Sequence, residues 1–120
     1  MIKNKTGAMG EVYAARYLRD KGYDIVSANY RCRFGEADLI AFCGKTLCFV
    51  EVKTRQRDSY HRPFEAVDEI KQQRLVMTAK SFIAMAKIEA PVRFDVCEVM
   101  MNEEPGGYEI NYIENAFDVG

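Results

Sequence analysis

The sequence predicts an α/β three-layer domain, a central five-stranded mixed sheet flanked by helices in the order α-β-β-β-α-β-β. Three observations carry this prediction. Two apolar runs, Gly35-Glu36-Ala37-Asp38-Leu39-Ile40 and Phe49-Val50-Glu51-Val52-Lys53, flank the pair Gly44-Lys45. The strands they belong to, residues 36–43 and 46–53, are apolar on both faces over most of their length, as in strands covered on two sides. Two segments with helical spacing of apolar residues lie before and after the runs and supply the cover. At 120 residues, residues 1–120 are expected to form one domain.

The first helix is expected over residues 6–21, capped by Thr6 and ended by Gly22. Residues 11, 14, 15 and 18 share a stripe at helical spacing. Ala14, Ala15 and Leu18 make that stripe small and apolar, and Glu11 continues it inward. A buried carboxylate needs a partner. The plainer alternative is an acid at the edge of the first turn, where it suits the helix dipole. Residues 23–28 read as a first strand, and residues 29–34 as a polar, basic connection holding Arg31 and Arg33. The hairpin strands follow at 36–43 and 46–53, then a polar loop over 54–63 closed by Pro63.

A second helix is expected over residues 68–87, with Leu75, Ala79, Phe82 and Ala86 on one stripe. Lys71 extends that stripe, either pointing inward over a cleft or snorkelling at its end. Pro91 resets the chain. Residues 92–101 read as a strand, 102–107 as a turn, and 108–113 as a final strand. Tyr108, Ile110 and Tyr112 on that strand read as core or as interface. The tail 114–120 is expected to cap the sheet.

Composition excludes several classes. Apolar residues make up 48% of the chain, too many for disorder. No run approaches the ~18 apolar residues of a membrane span, and the first residues lack the apolar core of a signal peptide. A cytoplasmic protein is expected. Cys32, Cys43, Cys48 and Cys97 form no CxxC pair, so they read as reduced thiols rather than a zinc site. His61 is the one histidine, which leaves a Ser-His or Cys-His hydrolase little support. The net charge is −1, but it is unevenly spread. Residues 1–93 hold all 17 Lys and Arg against 11 acids, while residues 94–120 hold seven acids and neither base. Lys53, Arg55, Arg57 and Arg62 oppose only Asp58 within residues 53–62, a local basic patch or a solvated loop.

The hairpin carries the chemistry. A two-residue loop that starts with Gly suits a type II′ turn. With Gly44-Lys45 as that loop, opposite positions sum to 89, so Asp38 faces Glu51 and Glu36 faces Lys53. Opposite Cβ atoms lie roughly 4.5–5.5 Å apart. Two carboxylates at that range repel unless a proton or a cation relieves them. Hard oxygen ligands so placed suit Mg²⁺ or Mn²⁺. Lys53 shares the face of Glu51, roughly 7 Å along the strand. Such a set fits phosphodiester hydrolysis with one or two ions. Asp38, Glu51 and the Val52 carbonyl are the candidate metal ligands. Lys53 is the candidate for holding the attacking water or stabilising charge on phosphate, and Glu11 for completing the site. Arg31, Arg33, Arg55, Arg57 and Arg74, with Lys71 beside them, are candidate contacts to DNA phosphates. The competing account is a structural ion-pair ladder, which a like-charge Asp38–Glu51 pair argues against.

These residues carry a resemblance. The order Glu11, Asp38, Glu51-x-Lys53 resembles the PD-(D/E)xK nuclease superfamily. Gly10-Glu11, Ala14-Ala15, Gly22-Tyr23, Asn29-Tyr30-Arg31, Gly35-Glu36-x-Asp38-Leu39-Ile40, Phe49-Val50-Glu51-Val52-Lys53-Thr54-Arg55, Val67, Lys71 and Arg93-Phe94-Asp95-Val96 together resemble the YraN family of predicted endonucleases. The resemblance implies a restriction-endonuclease-like core similar to archaeal Holliday junction resolvases. It implies Asp38 and Glu51 as ligands of Mg²⁺ or Mn²⁺, Lys53 as catalytic lysine, Glu11 as the acid of the first helix, and Lys71 as a recurrent second-helix lysine. The implied activity is metal-dependent endonuclease action on branched (Holliday-junction-like) or damaged DNA, with a homodimer suited to paired cuts. The alternative is a non-catalytic nucleic-acid-binding or adaptor protein that keeps the fold. Ala37 stands where the superfamily's name implies proline, and Tyr60-His61-Arg62-Pro63 departs from the glycine-containing loop the family leads one to expect.

Overall fold

The computed structural model describes residues 5–56, 68–102 and 107–117. Its elements are α1 (Lys5–Asp20), β1 (Asp24–Cys32), β2 (Gly35–Cys43), β3 (Thr46–Gln56), α2 (Glu69–Ala86), β4 (Val92–Met101) and β5 (Tyr108–Ile113). The five strands form one sheet in the order β1-β2-β3-β4-β5. Among the described residues, β3 and β4 pair in parallel and the other neighbouring strands pair antiparallel. A parallel pair needs a crossover, and α2 supplies it. The sheet is mixed and flanked by two helices, as the residue pattern predicts.

The turn chemistry set the register. Gly44 sits at φ 60, the sign a type II′ turn requires at its first central residue. β2 and β3 pair from Cys43↔Thr46 to Leu39↔Val50, every pair on the expected register. The pairing ends at Leu39↔Val50, so the expected ladder pairs Asp38–Glu51 and Glu36–Lys53 do not form. Glu36 instead pairs with Arg31 across β1.

Further boundaries differ from expectation. α1 already includes Lys5, so Thr6 lies inside the helix rather than capping it. The basic connection expected over 29–34 is strand as far as Cys32, and only Arg33 and Phe34 make the turn. Asn29 lies at φ 55, and pairing passes from Ala28↔Leu39 to Tyr30↔Ala37 around it. Asn tolerates this left-handed conformation, so a turn-like residue kinks the strand without ending it. β3 likewise runs on to Gln56, because β4 pairs with it as far as Gln56↔Met101. The remainder of the expected 54–63 loop, Arg57 included, lies outside the described residues.

Each helix covers one face. α1 packs Tyr13, Ala14, Ala15 and Leu18 against Leu39, Ala41, Cys48, Val50, Cys97 and Val99. α2 packs Leu75, Ala79 and Phe82 against Ile40, Leu47, Phe49, Phe94 and Val96. Asp68 caps α2 by accepting from the Lys71 N–H at 2.9 Å, and Lys87 ends it at φ 54. Tyr108 stacks on Tyr13 at 3.9 Å and Tyr112 on Tyr17 at 5.5 Å, so the apolar side of β5 is core. The tail caps the sheet: Phe117 stacks on Phe94 at 5.1 Å, and the Ala116 N–H donates to the Phe94 carbonyl. No helix among the described residues is long and apolar enough to cross a membrane. The four cysteines are free.

A fully buried carboxylate anchors the far end of the sheet. Asp95 accepts from Arg93 Nε (2.9 Å) and Nη2 (2.9 Å), from the Tyr112 hydroxyl (2.6 Å), and from the Asn115 N–H (2.9 Å). Arg93 Nη2 also donates to the Tyr23 hydroxyl at 2.7 Å. Buried charges survive in a fold only when paired and hydrogen-bonded in this way. Burial, with the Cys43 thiol, pushes the Tyr23 phenol up to about 12 against the opposing pull of Arg93. Burial and the Asp95 carboxylate raise Tyr112 as well.

Two predictions follow from this packing. Gly10 lies so close to Thr54 that an added Cβ would overlap its hydroxyl. Gly10→Ala should cost about 1–3 kcal/mol by urea denaturation, and Thr54→Ala should recover part of the loss; additive losses would contradict the close approach. The second concerns pH. The fold favours the neutral phenols of Tyr23 and Tyr112, so their stabilisation is complete below the ordinary tyrosine value of 10; the Tyr23 share is lost as pH rises through about 12, and the Tyr112 share persists to higher pH still. Spectrophotometric titration should show part of the tyrosine signal ionising well above 10, whereas a single step near 10 would rule this out.

Candidate functional site

The site lies where β2 and β3 part. Beyond Leu39 and Val50 the two strands no longer exchange ladder bonds. Asp38 spans the gap with its side chain, accepting the Val52 N–H on Oδ2 at 2.9 Å. Asp38 is only 6% exposed, so this bond replaces water that the carboxylate has lost. Val52, expected to offer a carbonyl, thus also offers its N–H.

A cavity of about 390 Å³ opens at this point on the α2 side of the sheet. Asp38, Glu51 and Glu36 line it from the strands, and Lys71, Arg74 and Leu75 line it from α2. Lys71 and Leu75 are one helical turn apart, so the stripe that packs the core also aims Lys71 at the acids. Lys71 is exposed as a residue yet borders the cavity. Gly35, at φ 150, brings α2 close: a Cβ there would lie 3.3 Å from Thr78 Oγ1 and 3.7 Å from Arg74 Cβ.

A second groove of about 560 Å³ adjoins the first and shares Gly35, Glu36 and Arg74 with it. Arg31, Cys32, Arg33 and Phe34 complete its lining. The Arg33 guanidinium lies 4.7 Å from the centre of the Phe34 ring. Arg31 Nε meets Glu36 Oε2 at 3.2 Å, with both side chains well exposed. Burial pushes the Cys32 thiol up, but hydrogen bonds with Phe34, Thr78, Ser81 and Gly35 together bring it below its usual value. Burial pushes Cys48 and Cys97 up to about 12, as inert core thiols.

The structure therefore brings Asp38, Glu51, Lys71 and Arg74 to one cavity, and Arg31, Arg33 and Arg74 to the groove beside it. Other expected residues stand elsewhere. Lys53 is half-buried on β3, two residues beyond Glu51, in register with Glu98 of β4. Glu11 is half-buried on α1, the helix over the other face of the sheet, next to Gly10 where α1 meets Thr54. Arg55 turns inward: its Nε donates to Glu98 Oε2 at 2.7 Å with a side chain only 16% exposed. Asn111 Nδ2 holds the other Glu98 oxygen at 2.8 Å.

Sequence reasoning missed Phe34 and Glu98. An aromatic between Arg33 and Gly35 is the available signal for Phe34. The partnership of Glu98 with Arg55 joins residues 43 apart, and nothing local announces it.

Known proteins resemble this chain along most of its length. Residues 10–99 match the model of the uncharacterised protein family UPF0102. The chain belongs to this family. It is 46% identical over 117 residues to a UPF0102 protein of Alkaliphilus metalliredigens, covering 97% of this chain and 100% of that one. It is 42% identical over 119 residues to a UPF0102 protein of Clostridium acetobutylicum, covering 98% of each. A UPF0102 protein of Caldanaerobacter subterraneus is 44% identical over 117 residues, with 96% of each covered. The match takes in Glu11, Asp38, Glu51, Lys53, Lys71 and Arg74.

The donor set can be tested against a divalent cation. Among the described residues, no three His, Cys, Asp or Glu side chains converge. Three carboxylates line the cavity; Glu36 is paired with Arg31, and Asp38 and Glu51 are the candidate ligand pair. That fits Mg²⁺, which is commonly held by one or two carboxylates and completes its shell with water and substrate phosphate.

The Asp38–Val52 bond predicts a split between two substitutions. Asp38→Ala should cost about 1–3 kcal/mol, because the Val52 N–H loses its acceptor. Asp38→Asn keeps a carbonyl oxygen there and should cost less. Equal losses in thermal unfolding would mean the bond does not hold the strands.

Proposed function

We propose that this UPF0102 protein is a metal-dependent endonuclease of the PD-(D/E)xK type that hydrolyses DNA phosphodiester bonds, with branched, junction-like DNA as its substrate class. The observation that carries the reading is the cavity in which Asp38 and Glu51 face Lys71 and Arg74. Acids alone would repel a phosphate, and bases alone would only bind it. Together they describe a place where a hard cation and a phosphate meet.

Asp38 and Glu51 would hold Mg²⁺ or Mn²⁺, with the Val52 carbonyl as a further oxygen. The bound ion supplies an activated water and a charge clamp on the phosphate. The Val52 N–H fixes the Asp38 carboxylate before substrate arrives, so little reorganisation remains for the reaction. Lys71 and Arg74 hold non-bridging phosphate oxygens from the helix side. Lys53 is assigned to stabilise charge that develops on the phosphate, and Glu11 to complete the acid set. Arg74 carries the flanking backbone, with Arg31 and Arg33 beside it. Arg55 is assigned a structural role through Glu98.

Calorimetric titration should show Mn²⁺ binding to the wild-type protein, alone or with DNA present, and its loss in the Asp38→Asn/Glu51→Gln double variant. Lys53→Ala should keep metal binding and lower cleavage of branched DNA by a factor of about 10²–10³. Absence of Mn²⁺ binding both with and without DNA would remove the mechanism. DNA binding with no metal-dependent cutting would support an adaptor that keeps the fold.

A further inference from the structure

The 560 Å³ groove does more than extend the basic surface. At about 560 Å³ it is larger than the acidic cavity, and it is open to solvent. Its floor is the turn between β1 and β2, where the Arg33 guanidinium lies over the Phe34 ring. Its wall is α2, through Arg74. A guanidinium on an aromatic ring is a flat, cationic platform. Duplex DNA cannot use it, because stacked base pairs show only their edges in the grooves. A base taken out of the stack can, since its face is free to lie on an aromatic or guanidinium plane.

We infer that this groove is a subsite for one unpaired nucleotide next to the scissile phosphate, with its base on the Arg33–Phe34 platform and its phosphate on Arg74. Arg74 lines both the groove and the acidic cavity, so a strand held by it would pass from one to the other. Arg31 is engaged with Glu36 and contributes less net charge to the groove. Stacking is tolerant of sequence because every base offers a π-face. The subsite therefore selects DNA shape: duplex joined to a single-stranded branch. The inference rests on the nuclease reading for which strand enters the cavity, and its test can be run without metal.

Binding of a fluorescein-labelled forked duplex and of a blunt duplex of equal length is measured by anisotropy in EDTA. The wild-type protein should prefer the fork by about 10-fold or more. Arg33→Ala and Phe34→Leu should each weaken fork binding about 10-fold more than blunt binding. Phe34→Leu keeps apolar bulk, and circular dichroism confirms that both variants fold. Equal weakening on both DNAs, or no fork preference in the wild type, would overturn the inference. Cleavage of the same fork with Mn²⁺ separates the two readings. A platform-dependent fork preference without cutting sinks the nuclease reading alone. Metal-dependent cutting with a fork preference that Arg33→Ala leaves intact sinks the subsite alone.

Discussion

The hydrogen bond from the Val52 N–H to Asp38 is the contact on which the site depends. β2 and β3 are locked in register by a two-residue turn, and continuing that register would set two carboxylates face to face. The strands part first. Asp38 then reaches across the opening to the backbone of β3, and β3 continues along β4 to Gln56. The opening between the diverging strands is where the cavity forms. α2 closes its side, drawn in by the absence of a side chain at Gly35. A repulsion that would weaken a closed ladder is thus resolved as a concave site.

The fold sorts its buried acids by their neighbours. Asp95 is enclosed by a bidentate arginine, a phenol and a backbone N–H. Glu98 is divided between Arg55 and Asn111. Each has its charge matched inside the protein, which is what a structural carboxylate requires. Asp38 and Glu51 border a cavity that Lys71 and Arg74 line from α2. Net charge and residue type are the same in the two cases. Enclosure against exposure to a cavity is what distinguishes an anchor from a candidate site.

Much of this was legible in the residues because it is local. Gly44-Lys45 fixes a register, Leu75, Ala79 and Phe82 mark one helical face, and residues 92–101 and 108–113 carry the strand pattern to the observed bounds. The missing parts are those that sequence spacing cannot reach. Asn29 looks like a turn residue, yet the pairing of β1 with β2 carries the strand past it. Arg55 looks like a phosphate contact, yet Glu98, distant in sequence, draws it inward. The parting of the strands at Asp38 depends on a side chain bonding to backbone one position beyond its expected opposite. Alternation predicts which face a residue takes, but it is silent on where a ladder stops.

The charge distribution shows why totals mislead for such a protein. Residues 94–120 hold seven acids and no Lys or Arg, which argues against a polyanionic partner when read as a sum. In the fold, Asp95 and Glu98 are buried and matched by Arg93 and Arg55, and Glu114 Oε1 stands 3.6 Å from Arg93. Asp95 and Glu98 have their charge matched by partners inside the protein, while Glu114 is exposed beside Arg93. Arg33, Lys71 and Arg74 are exposed and border the cavity or its groove. A nucleic-acid strand meets a local field, screened beyond roughly 10 Å at moderate salt. Within that distance the arginines of one turn and one helix outweigh acids that the core has already neutralised. A chain of acidic pI can therefore present a basic groove, provided its acids are partnered where its bases are not needed.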